Sequence, residues 1–330
     1  MRWHAPSLED LRGRSLRYVR ISVTERCQFR CPYCRPESGE EPCDAAPDYL
    51  TAKEIGRVAR VLSGLGINTV RFTGGEPLLR RDLAQIVGAV REVGVTDLAL
   101  TTNAALLTLK RAKELADAGL KRINISFDTL DENRFKRLSG GAPMAPVLAG
   151  IEAVGESGMR LKTNTVVLRD ENESELLDVA RFVWARGGVP RFIEVMPMGA
   201  GADLTMVPAV EILAKFDIDP EVQTANLTGG IGPADYWLHE GRRDQPFGVI
   251  AATTRNFCAA CNRIRLTATG EVRACLASAK GTELRPILRN SALGDQALVD
   301  AVCEALAMKP EGHRFSDGIP GETPMRLLGG

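Results

Sequence analysis

The chain of 330 residues is long enough for about two domains, and its 44% apolar content is that of a soluble globular protein with a sizeable core. Forty-two basic and forty-two acidic side chains cancel, which excludes a general attraction to nucleic acid or anionic membrane and leaves any anionic ligand to a local cluster of cations. The N-terminus lacks the apolar core of a signal peptide and no apolar run approaches the ~18 residues of a membrane span, so a cytoplasmic location without membrane or nucleic-acid partners is expected.

The opening residues are polar as far as residues 16–24, whose β-branched and aromatic content predicts a first strand. A loop carrying Cys27, Cys31 and Cys34 leaves its C-terminal end. After a Pro/Glu/Gly-rich connection, Thr51 is placed to cap a helix with Ile55, Val58, Ala59 and Leu62 on one face. A regular alternation follows, with strands predicted at residues 67–72, 95–102, 121–127, 160–167 and 190–196 and amphipathic helices between them, for example Leu176, Leu177, Ala180, Val183 and Trp184. Six strands alternating with helices imply a parallel sheet, because each parallel return needs a crossover. A closed eight-unit barrel would need ~250 residues, so the expected fold is α/β, a partial (β/α)6 TIM-type barrel over residues 1–200. From residue 201 the texture turns Gly-rich and irregular, with a strand-like piece at 247–252, a hairpin at 263–275 and helical patterns at 293–308. These predict a smaller C-terminal α+β domain, residues 201–330, and the family resemblance drawn below implies that it closes the barrel mouth.

Eight cysteines in a large chain of this kind argue against a disulfide framework and toward metal ligation or redox chemistry. Cys27, Cys31 and Cys34 offer three soft ligands on one tight loop, which can hold a cluster and leave one coordination position open for chemistry. A closed zinc site needs a fourth ligand, for which Cys43 is the nearby candidate. The Cys-x3-Cys-x-aromatic-Cys loop, with Tyr33 as the aromatic, resembles that of the radical S-adenosylmethionine superfamily. The resemblance implies a 4Fe-4S cluster whose unligated iron takes the amino and carboxylate groups of S-adenosylmethionine. Gly74-Gly-Glu-Pro77 would by itself be an ordinary turn, but after a barrel strand its glycines let backbone approach a ligand closely. It resembles the superfamily segment that receives the methionine amino group, which makes Gly74, Gly75 and Glu76 cofactor candidates.

Cys258, Cys261 and Cys275 form a second incomplete set, open to completion as a zinc site by Cys303 or a histidine. Between them, strand alternation points Arg263 and Arg265 to one face, ready to hold an anion beside an open cluster. With this pairing the chain resembles, from about Leu8 to its last residue, the GTP 3',8-cyclases that begin molybdenum cofactor biosynthesis. The matching stretches are residues 13–27, Arg71-Phe-Thr-Gly-Gly-Glu-Pro-Leu-Leu-Arg80, Arg191-Phe-Ile-Glu-Val-Met-Pro197 and Phe257-Cys-Ala-Ala-Cys-Asn-Arg-Ile-Arg-Leu-Thr267. The terminal Gly329-Gly330 fits as a tail that in this family reaches the active site.

The resemblance implies two 4Fe-4S clusters and S-adenosylmethionine as cofactors, with Tyr33, Ser126 and Met196 joining the cofactor contacts. GTP is the implied substrate, met by Arg20, Arg71, Thr102, Lys162, Arg263, Ile264 and Arg265, of which the four arginines form the implied catalytic set. Expected places at strand C-terminal ends favour their convergence. The implied reaction is conversion of GTP to 3',8-cyclo-7,8-dihydro-GTP, in which a 5'-deoxyadenosyl radical removes hydrogen from ribose C3' and the ribose carbon then attacks C8 of guanine. A low-potential electron donor and a downstream pyranopterin-forming enzyme are the implied partners, and a monomer or homodimer is expected. Two positions depart from the family pattern: Ala104 stands where a glycine is usual, and Arg35 where a methionine is. Cys43 and Cys303 match no family ligand. Two alternatives remain: a radical peptide modifier, which would carry more C-terminal cysteines, and a non-catalytic electron carrier or zinc-supported nucleotide-binding module, which would need closed sites.

Overall fold

The computed structural model describes residues 8–34, 48–218, 232–278, 280–315 and 325. Arg35, Cys43 and the Gly329-Gly330 tail lie outside the described residues. The elements in chain order are β1 (Tyr18–Ser22), α1 (Ala52–Gly64), β2 (Thr69–Thr73), α2 (Leu83–Glu92), β3 (Asp97–Thr102), α3 (Leu109–Ala118), β4 (Arg122–Ser126), α4 (Glu132–Leu138), α5 (Ala145–Glu156), β5 (Arg160–Val167), α6 (Leu176–Trp184) and β6 (Val189–Glu194). Then follow α7 (Ala209–Leu213), β7 (Asp235–Leu238), β8 (Pro246–Ile250), β9 (Arg263–Leu266), β10 (Glu271–Arg273), β11 (Thr282–Glu283), α8 (Arg285–Arg289) and α9 (Asp295–Ala307). Among the described residues, no helix is long and apolar enough to cross a membrane.

The six expected strands pair in parallel in chain order, as the repeated crossovers require. The sheet does not stop there. β8 adds in parallel beside β6, with β7 antiparallel at that edge, while β9 adds in parallel beside β1 and carries β10 and β11. Among the described residues, those beyond 200 therefore extend both edges of one eleven-stranded sheet. The expected hairpin is β9–β10, paired antiparallel.

Alternation decides the two faces of each strand. Val19 and Ile21 of β1, Val70 and Phe72 of β2, Ile123 and Ile125 of β4, Phe192 of β6, and Ile264 and Leu266 of β9 all enter one apolar core with the helices. The residues between them point to the opposite, inner face: Arg20, Arg71, Asn124, Arg191, Arg263 and Arg265. A parallel sheet covered on both faces ordinarily reads as continuous apolar runs, so a buried polar face marks a site.

Local chemistry fixes the helix ends. Thr51 caps α1 and Glu54 reaches back to the Thr51 N–H, a capping box worth about 1 kcal/mol. The predicted apolar face of α1 is buried, as are Leu176, Ala180 and Val183 of α6. Ala104 adopts a left-handed conformation, φ +60°, and is fully buried. A side chain at the facing Gly150 would meet the Ala104 carbonyl at 2.5 Å, so the turn keeps its shape by tight packing against α5. The left-handed conformation costs an alanine roughly 1–2 kcal/mol. Ala104→Gly is accordingly expected to raise stability by about 0.5–1 kcal/mol in urea denaturation, part of the gain being offset by the freer unfolded chain.

Candidate active site

The loops at the C-terminal ends of β1 to β6 border an open cavity. Cys27, Cys31 and Cys34 line it together with Tyr33, Gly74, Gly75, Glu76, Thr102, Ser126 and Met196. The cysteine loop is held by main-chain contacts, Cys34 N–H donating to Cys31 O at 3.0 Å and Arg30 N–H to Ser139 O at 2.9 Å. The Gly74-Gly75 pair is needed because the β2 loop runs against the cysteine loop: a Cβ on Gly74 would lie 2.4 Å from Thr24 O, and one on Gly75 2.3 Å from Arg26 O. In exchange, Gly75 N–H donates to Thr24 O and Glu76 N–H to Arg26 O, both at 2.7 Å. The glycines thus make room for the cysteine loop's own backbone.

Glu76 is buried and saturated. It accepts from Leu78 N–H at 2.9 Å, Thr102 Oγ1 at 2.6 Å and Asn103 N–H at 2.7 Å. Burial pushes its carboxyl up to about 7 against these donors. Its visible work is to join the β2 and β3 loops, which leaves the Asn103 amide 3.9 Å from Cys27 Sγ. Tyr33 donates to Asp128 at 2.6 Å, and burial pushes Asp128 up to about 6. Burial and the neighbouring Asp128 both raise the Tyr33 phenol. Burial also raises the Cys31 thiol, with Asp128, Cys34 and Cys27 adding to the effect.

The second cysteine set closes at the ends of β9 and β10. Cys258, Cys261 and Cys275 are all free thiols and half-buried, whereas Cys303 is exposed on α9. Burial raises Cys258, and Cys275 and Cys261 reinforce the effect, so the three thiols share one electrostatic environment. Burial opposes ionisation of Cys261, but Arg263 and Lys309 outweigh it and hold this thiol down to about 7. Among the described residues no three Cys, His, Asp or Glu side chains are arranged to hold a single metal ion. The fit to a cluster therefore rests on the donor chemistry: two groups of three soft thiols.

Between the two sets runs a row of buried cations. The register pairs Arg20 with both Arg71 and Arg265, which aligns three guanidiniums across β9, β1 and β2. Arg263 stands next to this row, its guanidinium 4.8 Å from the Phe257 ring centre and 3.9 Å from Cys261 Sγ. Across the inner face, Lys162 Nζ donates to the Tyr236 hydroxyl at 3.1 Å and Arg191 donates to Asn124 Oδ1 at 2.8 Å. Gly248 of β8 gives Arg191 and Tyr236 their space, since a Cβ there would lie 3.0 and 2.9 Å from them. Burial, with Arg191, Arg20 and Arg122 nearby, lowers Arg71 to about 9, which leaves it charged at neutral pH. Burial and the flanking Arg20 and Arg263 lower Arg265 as well. The Nε atoms of Arg71, Arg191 and Arg265 are buried without a hydrogen-bond partner. Clustered guanidiniums with spare donors make a site for a polyanion.

Lys162 gives this site a pH dependence. Burial and the cations Arg191 and Arg122 lower its ammonium to about 8, while Tyr236 opposes the shift. A bound polyanion restores the charged form, so affinity falls as pH rises above about 8 and binding there takes up a proton. Calorimetry in buffers of different ionisation enthalpy checks this, and Lys162→Met is expected to reduce the uptake near pH 8.

The structure differs from the sequence expectation in where the cations stand. Arg20, Arg71, Lys162 and Arg265 lie within their strands, not at the C-terminal ends, because the register of the inner face sets their level. Thr102 lines the cysteine cavity, where its hydroxyl donates to Glu76. The Ile264 side chain belongs to the apolar core, so only its main chain faces the site. Ser126 ends β4 and Met196 follows β6, both on the cavity as expected. Arg191, Asn124, Tyr236, Asp128 and Lys309 were not singled out by sequence. A polar residue at an inner position of a predicted barrel strand was the available signal for Arg191 and Asn124.

Comparisons with known proteins match the chain in two successive segments. A model of the Radical SAM superfamily matches residues 21–183 and one named Molybdenum Cofactor Synthesis C matches residues 190–315. A GTP 3',8-cyclase of Paracoccus denitrificans is 40% identical over 94% of this chain and 91% of its own length. One of Pelotomaculum thermopropionicum is 37% identical over 98% of this chain and 100% of its own. Among solved structures, Streptococcus suis SuiB bound to precursor peptide SuiA superposes with a TM-score of 0.60 at 14% identity, covering 89% of this chain and 67% of that one. That likeness is one of fold.

Proposed function

The chain belongs to the GTP 3',8-cyclase family of the radical S-adenosylmethionine superfamily, and from that premise we propose that it converts GTP to 3',8-cyclo-7,8-dihydro-GTP, the first step of molybdenum cofactor biosynthesis. The observation that carries the reading is the in-register row Arg265–Arg20–Arg71 lying between two sets of three thiols. A triphosphate is the ligand such a row suits, because only a concentrated polyanion repays the burial of so many guanidiniums.

In this reading Cys27, Cys31 and Cys34 would hold the cluster that binds S-adenosylmethionine, and Cys258, Cys261 and Cys275 the second cluster. When bound, the first cluster with S-adenosylmethionine supplies one-electron reduction and hydrogen-atom abstraction. The chain's own residues place the substrate. Arg20, Arg71, Arg265, Lys162 and Arg191 grip the triphosphate from the inner sheet face, and Arg263 links that grip to the second cysteine set. Glu76, Thr102 and Asn103 keep the β2 and β3 loops closed beneath the cysteine cavity. Tyr33, Ser126 and Met196 border the space for S-adenosylmethionine. Placement of this kind limits the ribose to one reacting hydrogen and keeps water from competing.

The partners required are a low-potential electron donor and a downstream enzyme that rearranges the cyclised nucleotide into a pyranopterin, with a monomer or homodimer acting in the cytoplasm. The test is anaerobic incubation of iron- and sulfide-reconstituted protein with GTP, S-adenosylmethionine and dithionite. Formation of 5'-deoxyadenosine together with a cyclised nucleotide is expected; absence of both would sink the proposal. Peptide modification is the weaker reading, since a peptide backbone offers nothing to match the buried cation row.

A further inference from the structure

Lys309 follows α9 and is buried, with 3% of its surface exposed. Its ammonium has three donors, and three acceptors meet them: Ala274 O at 2.6 Å, Arg263 O at 2.8 Å and Cys261 Sγ at 3.6 Å. Ala274 precedes Cys275, and Arg263 follows Cys261 by two residues, so one amine ties the β9 side of the second cysteine set to the β10 side. Its backbone is fixed in turn. Arg12 donates to Lys309 O at 2.9 Å, and Arg14 donates to Pro310 O at 2.7 Å and to Cys258 O and Glu311 O at 2.9 Å each. Arg14 is held by a buried ion pair with Asp10. The segment before β1 and the segment after α9 thus clasp the second set from two sides.

Among the described residues, no carboxylate is a hydrogen-bond or ion-pair partner of the Lys309 ammonium. A buried cation is costly unless a negative charge compensates it. The sulfur ligands of a cluster are the negative groups within reach. Hydrogen bonds and positive charge at cluster sulfurs favour the more negative, reduced state.

We infer that Lys309 is a positioning residue that raises the reduction potential of the cluster held by Cys258, Cys261 and Cys275. The inference rests on reading those cysteines as cluster ligands. Lys309 acts through Cys261 and has no contact with substrate in this role.

The experiment uses the full chain with Cys27, Cys31 and Cys34 replaced by alanine, so that iron reports on the second set alone. Lys309→Gln and Lys309→Arg are compared with this parent by iron analysis and by a redox titration followed by electron paramagnetic resonance. About four irons per chain are expected in all three. Lys309→Gln is expected to titrate at a more negative midpoint than the parent, and Lys309→Arg, which keeps the charge, close to the parent. Iron retained by Lys309→Gln at an unchanged midpoint would overturn the inference. Loss of iron from Lys309→Gln would overturn it in favour of a purely structural clasp. No iron in the parent would instead overturn the reading of the cysteines, and the inference with it.

Discussion

Arg71→Met is expected to move binding and stability in opposite directions: GTP affinity falls by roughly 10- to 100-fold, while the unliganded protein gains about 1–2 kcal/mol of unfolding free energy. The loss follows from removing one charge-assisted contact to a phosphate, worth about 1.5–3 kcal/mol. The gain follows from the surroundings of Arg71. It is buried, Arg191, Arg20 and Arg122 all act to lower its affinity for a proton, and its Nε has no hydrogen-bond partner. Replacing a buried charge with an apolar side chain of similar length removes both the desolvation cost and the repulsion, an exchange worth up to a few kcal/mol in favourable cases. Loss of the contact with the Tyr18 ring, 5.5 Å from the guanidinium, takes back about 0.5–1 kcal/mol. Calorimetric titration with GTP and urea denaturation without it measure the two effects. A variant with unchanged GTP affinity and lower stability would show that Arg71 serves the fold and not a ligand.

The second large effect separates the two cysteine sets. Cys31→Ala and Cys258→Ala are each expected to lower iron from about eight to about four per chain, the content of one remaining cluster. Their chemistry is expected to differ. Cys31→Ala removes a thiol from the cavity that carries Glu76, Ser126 and Met196, so cleavage of S-adenosylmethionine ceases and no nucleotide is altered. Cys258→Ala leaves that cavity intact, so 5'-deoxyadenosine still forms while the cyclised nucleotide does not. If Cys258→Ala made product at the native rate, the second set would have no part in placing the substrate. Iron analysis with chromatography of nucleoside products distinguishes these outcomes.

How far the sequence reached depended on the distance over which each feature is encoded. The cysteine spacing, the Gly74-Gly-Glu-Pro77 turn, the α1 cap and the alternation of six strands with helices are written within stretches of about twenty residues or fewer, and all were legible. The function of Gly74 and Gly75 was half legible: close approach was expected, but the surface approached is the cysteine loop itself. Thr102 and Ile264 read as substrate contacts because they belong to matching motifs. Only the fold shows one hydroxyl spent on Glu76 and the other side chain buried in the core.

By itself the sequence determined an α/β chain with a parallel sheet, two incomplete sets of thiols and enough arginine and lysine to meet a polyanion. Tertiary structure alone decided that the cations form one row, that Arg191 and Tyr236 join the inner face, and that Lys309 clasps the second cysteine set. The reason is physical. Residues in one turn or one strand are positioned by covalent geometry and local hydrogen bonds, which the sequence displays directly. Arg20 meets Arg265 only because β9 pairs in register with β1 across more than two hundred intervening residues, and that register is set by burial of Val19, Ile21, Ile264 and Leu266 in a common core.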